Sequence, residues 1–117
     1  MSKKIAIVGS RRFKKLSLVK DFVDSLPLDT TIVSGGALGV DQVAEASALA
    51  RGMTTKIFLP DWKTLGLKAG AIRNAQIVEE SDEIVAFHDG VSKGTLITIE
   101  LGHKAGKPVK IITPDSI

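Results

Sequence analysis

The chain has 117 residues, 44% of them hydrophobic, and a net charge of +3. This composition suits one globular domain over residues 1–117 and excludes disorder. The absence of cysteine excludes disulfides and thiolate metal sites, and no apolar run has the length of a membrane span, so a soluble, cytoplasmic protein without membrane contact is expected.

The first strand is expected over residues 4–8, apolar almost throughout, as strands buried on both faces are. The basic residues ahead of it do not make a secretory signal, because the apolar run is short and breaks at Gly9. Lys3, Lys4, Arg11, Arg12, Lys14, Lys15 and Lys20 all precede the first acid of the chain. Such a run is either a solvated face or a surface that attracts phosphates. Gly9-Ser10-Arg11 closes the strand with a residue for a tight turn, a hydroxyl and a planar fork matched to phosphate. A helix over residues 16–26 follows, with Leu18, Val19, Phe22 and Leu26 on one stripe and Pro27 beyond its end.

The second strand, Thr31–Ser34, runs straight into Gly35-Gly36-Ala37-Leu38-Gly39-Val40-Asp41 and a helix over residues 40–51. Glycines let bare N–H groups approach a ligand, and the helix start adds its positive dipole end. The segment is neither the G-x-G-x-x-G fingerprint nor a Walker A loop. It is therefore a cradle for an anion or a tight strand-to-helix turn. Asp41 has two open roles, helix cap or contact to a ribose hydroxyl. The core face of this helix is expected to carry Val43, Ala46, Leu49 and Ala50, with Gly52 as terminator.

A third strand is expected over residues 56–59, followed by an irregular stretch from about Pro60 to Gly70, long enough in so small a domain to suggest function. Its Trp62 either stacks on a base or pins the loop to the core. A helix over residues 71–80 places Arg73 in the first turn, where the dipole favours acids. A cation there calls for a compensating anion, which makes Arg73 the strongest single candidate for a ligand contact.

The fourth strand, Glu83–Phe87, leads through residues 88–94 into a helix over residues 95–105. Ser92-Lys93-Gly94-Thr95 offers N–H groups, two hydroxyls and a lysine to a phosphate, a role compatible with capping. The last strand, Val109–Ile112, follows Gly106 and Pro108. Glu100, within the apolar run of residues 96–101, lies either on the solvent stripe of its helix or at a site. His88 and His103 are the only histidines and lie in no cluster of ligand spacing, so no metal site is expected. Ser34 is not in a G-x-S-x-G elbow.

This alternation implies an α/β fold: a five-stranded parallel sheet in a Rossmann-like three-layer sandwich. Ligands of such sheets bind beyond the carboxyl ends of the strands. The four loops expected there hold Arg11, Arg12, Lys14, Lys15, Lys63, Lys68, Arg73 and Lys93 against Asp41, Asp61 and Asp89. Eight bases over three acids leave a surplus of five, more than the +3 of the whole chain. An anionic ligand needs such a rim.

Taken together, Ile7-Val8-Gly9-Ser10-Arg11, Ser34-Gly35-Gly36-Ala37 with Gly39 and Asp41, Asp61-Trp62, Ala69-Gly70 with Ile72-Arg73-Asn74, and Ser92 with Gly94-Thr95 resemble the SLOG superfamily of small Rossmann-like domains, in its YspA-type (cpYpsA-related) branch. The resemblance covers nearly the entire chain. It implies binding or sensing of a phosphate-bearing, nucleotide-derived small molecule, with no further cofactor. The implied contacts are Gly9, Ser10, Arg11, Ser34, Gly35, Gly36, Gly39, Asp41, Trp62, Arg73, Asn74, Ser92, Lys93, Gly94 and Thr95. Related domains pair up, so the resemblance also implies a homodimer.

Two wider resemblances supply alternatives. Arg73, Asp82 and Gly94-Thr95 are similar to residues of LOG-type phosphoribohydrolases, which implies nucleotide N-glycoside hydrolysis. The catalytic Glu expected three residues after the threonine is Thr98 here, and Glu100 lies about 200° around the helix from it. Gly9-Ser10-Arg11, Ser34-Gly35, Arg73-Asn74 and Ser92 with Thr95-Leu96-Ile97-Thr98 are similar to the Rossmann core of DNA-processing protein A, which implies single-stranded DNA as the partner. Aromatic platforms for that role are few, with only Phe13 and Trp62 in expected loops.

Overall fold

The computed structural model describes residues 2–115. Its elements in chain order are β1 (Lys4–Gly9), α1 (Leu16–Asp24), β2 (Thr31–Ser34), α2 (Val40–Ala50), β3 (Thr54–Ile57), α3 (Trp62–Leu65), α4 (Ala69–Glu80), β4 (Glu83–Phe87), α5 (Lys93–Lys104) and β5 (Val109–Ile112). A 3-10 turn over Gly66–Lys68 joins α3 to α4. All strand pairs are parallel, in the order β3-β2-β1-β4-β5. This is the expected α/β Rossmann-like sandwich. Among the described residues no helix is long and apolar enough to cross a membrane.

Helices cover both faces, so the central strands are buried on both sides. Ile5 and Ile7 of β1 join Val19 and Val23 of α1 and Val40, Ala44 and Ala48 of α2 in one core cluster. Ala6 and Val8, one residue out of phase, join Ile77 and Val78 of α4 and Ile99 of α5 in the other. This period of two is what a pleated strand imposes. Phe13 leaves the loop after β1 and sits edge-on to Phe87 at 5.6 Å, only 3% exposed. It is a core residue and no platform for a base.

Three sequence expectations need correction. The third strand lies two residues earlier than expected, because its register follows β2, with Thr31 opposite Thr54 and Ser34 opposite Ile57. The buried face of α2 is Val40, Asp41, Ala44, Ser47 and Ala48, while Ala46, Leu49 and Ala50 are exposed. In so alanine-rich a helix the apolar contrast is weak, and small residues win the sheet-facing positions because they let the backbone approach closely. Finally, most of residues 60–70 is helical: Asp61 accepts a hydrogen bond from the Thr64 N–H (3.1 Å) and caps α3, and α4 begins at Ala69. Arg73 is thus in the second turn of its helix, and the dipole argument for it falls.

Strand order decides where a ligand can bind. From β1 the chain winds outward through β2 to β3, then crosses back to β4 beside β1. The loops leaving β1 and β4 diverge to opposite faces and open a crevice between them.

Candidate functional site

A cleft of about 380 Å³ occupies that crevice. Nine of the fifteen residues named from the sequence line it: Gly9, Ser10 and Arg11 after β1, Asp41 from α2, Arg73 and Asn74 from α4, and Ser92, Gly94 and Thr95 at the start of α5. Ser34, Gly35, Gly36, Gly39, Trp62 and Lys93 do not.

The glycine segment explains most of that difference. Its N–H groups are not bare. The Asp41 carboxylate, through Oδ2, accepts hydrogen bonds from the N–H groups of Gly35 and Ala37, both at 3.2 Å. Glu45 accepts from the Gly36 N–H (3.0 Å) and from the Ser34 hydroxyl (2.6 Å). Two side chains of α2 thus fill the place where an external anion was expected. Asp41 is not the helix cap, since Gly39 holds the cap position and Asp41 lies inside the helix.

The glycines serve close approach between loops. Gly39 has φ of +83°, and a Cβ on it would lie 2.6 Å from the Arg11 carbonyl oxygen. On Gly35 a Cβ would lie 2.5 Å from the Arg73 guanidinium. That guanidinium donates from Nη1 to the Gly35 carbonyl (2.7 Å) and from Nε to Asn74 Oδ1 (2.9 Å). Arg73 therefore ties α4 across the sheet edge to the β2 loop. Burial pushes the Asp41 carboxyl up to about 6, against the pull of the Ala37 N–H and the Arg73 charge.

On the β4 side the wall is also organised by a carboxylate. Asp89 Oδ1 accepts from the N–H groups of Val91 (2.9 Å) and Ser92 (3.0 Å). These bonds, with that of Val91 foremost, hold its carboxyl below the usual range. His88 closes the same turn, accepting from the Gly90 N–H at Nδ1 (3.2 Å), which leaves the proton on Nε2 to donate to the Ser92 carbonyl (3.1 Å). Ser10 is buried, and its hydroxyl accepts from the Asp89 N–H (3.3 Å), joining the two walls. The Ser92 hydroxyl caps α5 by accepting from the Thr95 N–H (3.3 Å).

The cleft also takes in Arg12 and Asp89, which the sequence placed on the rim but not among the contacts, and Val91 and Thr98, which it did not place at the site. Asp89 carried a usable signal: an Asp followed two and three residues later by turn N–H groups is an Asx motif. Thr98 lies in the apolar-looking run of α5, one turn after Thr95, and only the cleft shows that it faces inward.

The rim gathers most of the cations that are free of ion pairs. Among the described residues Arg11, Arg12, Lys14, Lys15, Lys63, Lys68 and Lys93 make no ion pair, and all are exposed. Trp62 stands outside the cleft, 56% exposed, against Gly70 of α4, one helical turn from Arg73 and Asn74.

Comparison with known proteins agrees with this fold. The family described as DNA recombination-mediator protein A matches residues 1–63. The Gene 61 protein of Mycobacterium phage D29 is 34% identical over 92% of this chain and 94% of its own length. The structure of DNA processing protein A from Streptococcus pneumoniae matches 93% of this chain with a TM-score of 0.81 and 25% identity. The chain spans only half the length of that structure. DNA processing protein A from Helicobacter pylori, whose structure concerns its mode of binding single-stranded DNA, has the same fold, with a TM-score of 0.71 and 23% identity over 93% of this chain and 64% of its own.

Proposed function

Because this chain belongs to the DNA recombination-mediator protein A family, we propose that it binds single-stranded DNA along the carboxyl edge of its sheet, with one nucleotide seated in the cleft. The observation that carries this reading is the set of unpaired, exposed cations around a nucleotide-sized crevice. A cation with no internal partner keeps its full attraction for phosphate, and each phosphate it neutralises releases counterions.

The roles follow from position. Arg11 and Arg12 meet phosphate at the mouth. Ser92, Gly94 and Thr95 present hydroxyl and N–H groups at the start of α5, with Lys93 on the rim. Gly9 and Ser10 form the floor beside Thr98. Asn74, its Oδ1 occupied by Arg73, has its amide N–H groups to offer. Trp62 of α3, beside Gly70 one turn of α4 away from Arg73 and Asn74, suits stacking on a neighbouring base. Ser34, Gly35, Gly36 and Gly39 act as scaffold that positions Arg73 and Asp41.

Fluorescence anisotropy with a labelled oligothymidylate tests the proposal. Saturable binding is expected, with log K falling against log salt by about 0.7 per phosphate contacted. Absence of binding at low salt overturns it.

A second reading keeps the same cleft for a free phosphate-bearing nucleotide derivative, in a sensing role. The volume favours it, since about 380 Å³ falls within the usual range of small-molecule sites. Tight binding of a nucleoside monophosphate that no oligonucleotide displaces supports this second reading over the first. For N-glycoside hydrolysis the geometry is poor. Thr98 stands where the catalytic Glu is expected, and its hydroxyl donates to the Gly94 carbonyl (3.2 Å).

A further inference from the structure

Asp41 holds the glycine segment with one carboxylate oxygen only. Oδ2 accepts both loop N–H groups. Oδ1 has no hydrogen-bond partner, yet no buried side-chain oxygen among the described residues lacks one. Oδ1 therefore reaches open space. Since Asp41 is only 6% exposed and lines the cleft, that space is the cleft itself. The arrangement places a bare acceptor, held on a rigid helix and only slightly exposed, inside a site whose lining also carries Arg11, Arg12, Arg73, the hydroxyls of Ser92 and Thr95, and the Asp89 carboxylate that caps its own turn.

We infer that Asp41 is a specificity residue: its Oδ1 reads an N–H donor on the base of the nucleotide seated in the cleft. This rests on the strand-binding reading above. A carboxylate among phosphate-binding groups weakens attraction for every anion, so it needs a partner of its own. Within a DNA strand the sugar has no hydroxyl, and both its oxygens at the 3′ and 5′ positions are esterified. The only donors a nucleotide brings are on the base edge. The bases differ there, which turns one fixed acceptor into a source of preference. The Arg73 guanidinium and Glu45 also act on Asp41 electrostatically, the first favouring its charge and the second opposing it.

The isosteric variant Asp41→Asn separates recognition from bulk charge. The amide oxygen can keep the two bonds to Gly35 and Ala37, while the NH₂ group replaces Oδ1 and offers a donor where an acceptor stood. Binding of oligothymidylate, oligocytidylate and oligoadenylate of the deoxy series, and of a guanine-containing oligonucleotide, is measured for both proteins by anisotropy, with thermal melting to confirm the fold. The tightest-bound sequence is expected to lose about tenfold relative to the weakest, changing the order of preference. A uniform gain across all four oligonucleotides shows that only charge was removed and overturns the inference. So does an unchanged set of affinities. Where wild-type protein binds none of the four, the strand reading fails and this one with it. Where wild-type binds all four but the order survives the substitution, this one alone fails. Should Asp41→Asn lower the melting temperature sharply, Asp41→Glu supplies the second variant. It keeps the charge and moves the acceptor by one methylene, so an altered order supports the inference and an unaltered order overturns it.

Discussion

The two edges of the sheet handle positive charge in opposite ways. At the amino edge Lys3, Lys4 and Lys56 are matched. Lys3 pairs with Glu83 (3.3 Å), and Glu80 accepts from both Lys4 (2.8 Å) and Lys56 (2.7 Å). Asp82 accepts from the Lys4 backbone N–H (2.8 Å). At the carboxyl edge, acids are present, but Asp41, Glu45 and Asp89 are turned onto backbone N–H groups. Arg11, Arg12, Lys14, Lys15, Lys63, Lys68 and Lys93 around them are left without ion-pair partners. The lesson is that a loop rich in charge of both signs can still be a cationic surface, if its carboxylates are engaged by its own backbone. Charges satisfied internally build the wall, and those left over are free to attract an anion.

This contrast can be broken by charge reversal. Arg11→Glu combined with Arg12→Glu should lower affinity for oligothymidylate by at least about a hundredfold at low salt and flatten the salt dependence. Retained affinity would mean that the rim is an ordinary solvated face. Next in size is Gly39→Ala. It forces a side chain onto positive φ and against the Arg11 carbonyl, and should cost about 2 kcal/mol or more in urea denaturation, with loss of binding. Trp62→Ala should reduce affinity by about tenfold through lost stacking. Its stability should stay within about 0.5 kcal/mol, because the ring is largely exposed.

Acid titration sharpens the comparison further, since the two edges should respond with opposite sign. The hydrogen bonds from Lys4 and Lys56 hold Glu80 down to about 2, from an ordinary 4.5. Its contribution to stability is present above the ordinary value and is lost as pH falls through 4.5 toward 2. Asp41 runs the other way. Burial raises it from 3.8 to about 6, so the folded protein binds the extra proton in that window and stability declines as pH rises through it. In melting curves against pH, Glu80→Gln should remove the first slope and Asp41→Asn the second. The smallest effect expected is on binding by Glu80→Gln, within about twofold, because an exposed pair at the far edge is screened from the cleft.

Much of this was legible in the residues. Buried parallel strands announce themselves as β-branched apolar runs, and β2, β4 and β5 fall where those runs lie. The turns after β1 and before α5 were legible too, because Gly9-Ser10-Arg11 and Ser92-Lys93-Gly94-Thr95 combine small residues, hydroxyls and cations at strand ends. The helical α3 was hidden, though Asp61 with Thr64 three residues on is a capping signal, because the segment has no apolar stripe facing the core: Trp62 through Lys68 are all exposed. The β3 register was hidden because an edge strand takes its alignment from its single neighbour.

The glycine segment marks the boundary between the two kinds of knowledge. Local sequence dictates a strand, a glycine-rich turn and a helix start, since backbone freedom and apolar periodicity are properties of a few adjacent residues. Whether the N–H groups of that turn face a ligand or the protein's own carboxylates depends on where the Asp41 and Glu45 side chains point once α2 docks on the sheet. Whether Arg73 meets Gly35, 38 positions away, depends on the crossover that carries α4 to the opposite face. Hydrogen bonds of that reach exist only after packing has brought distant segments together, so the identity of the free groups at this edge was decided by the tertiary structure.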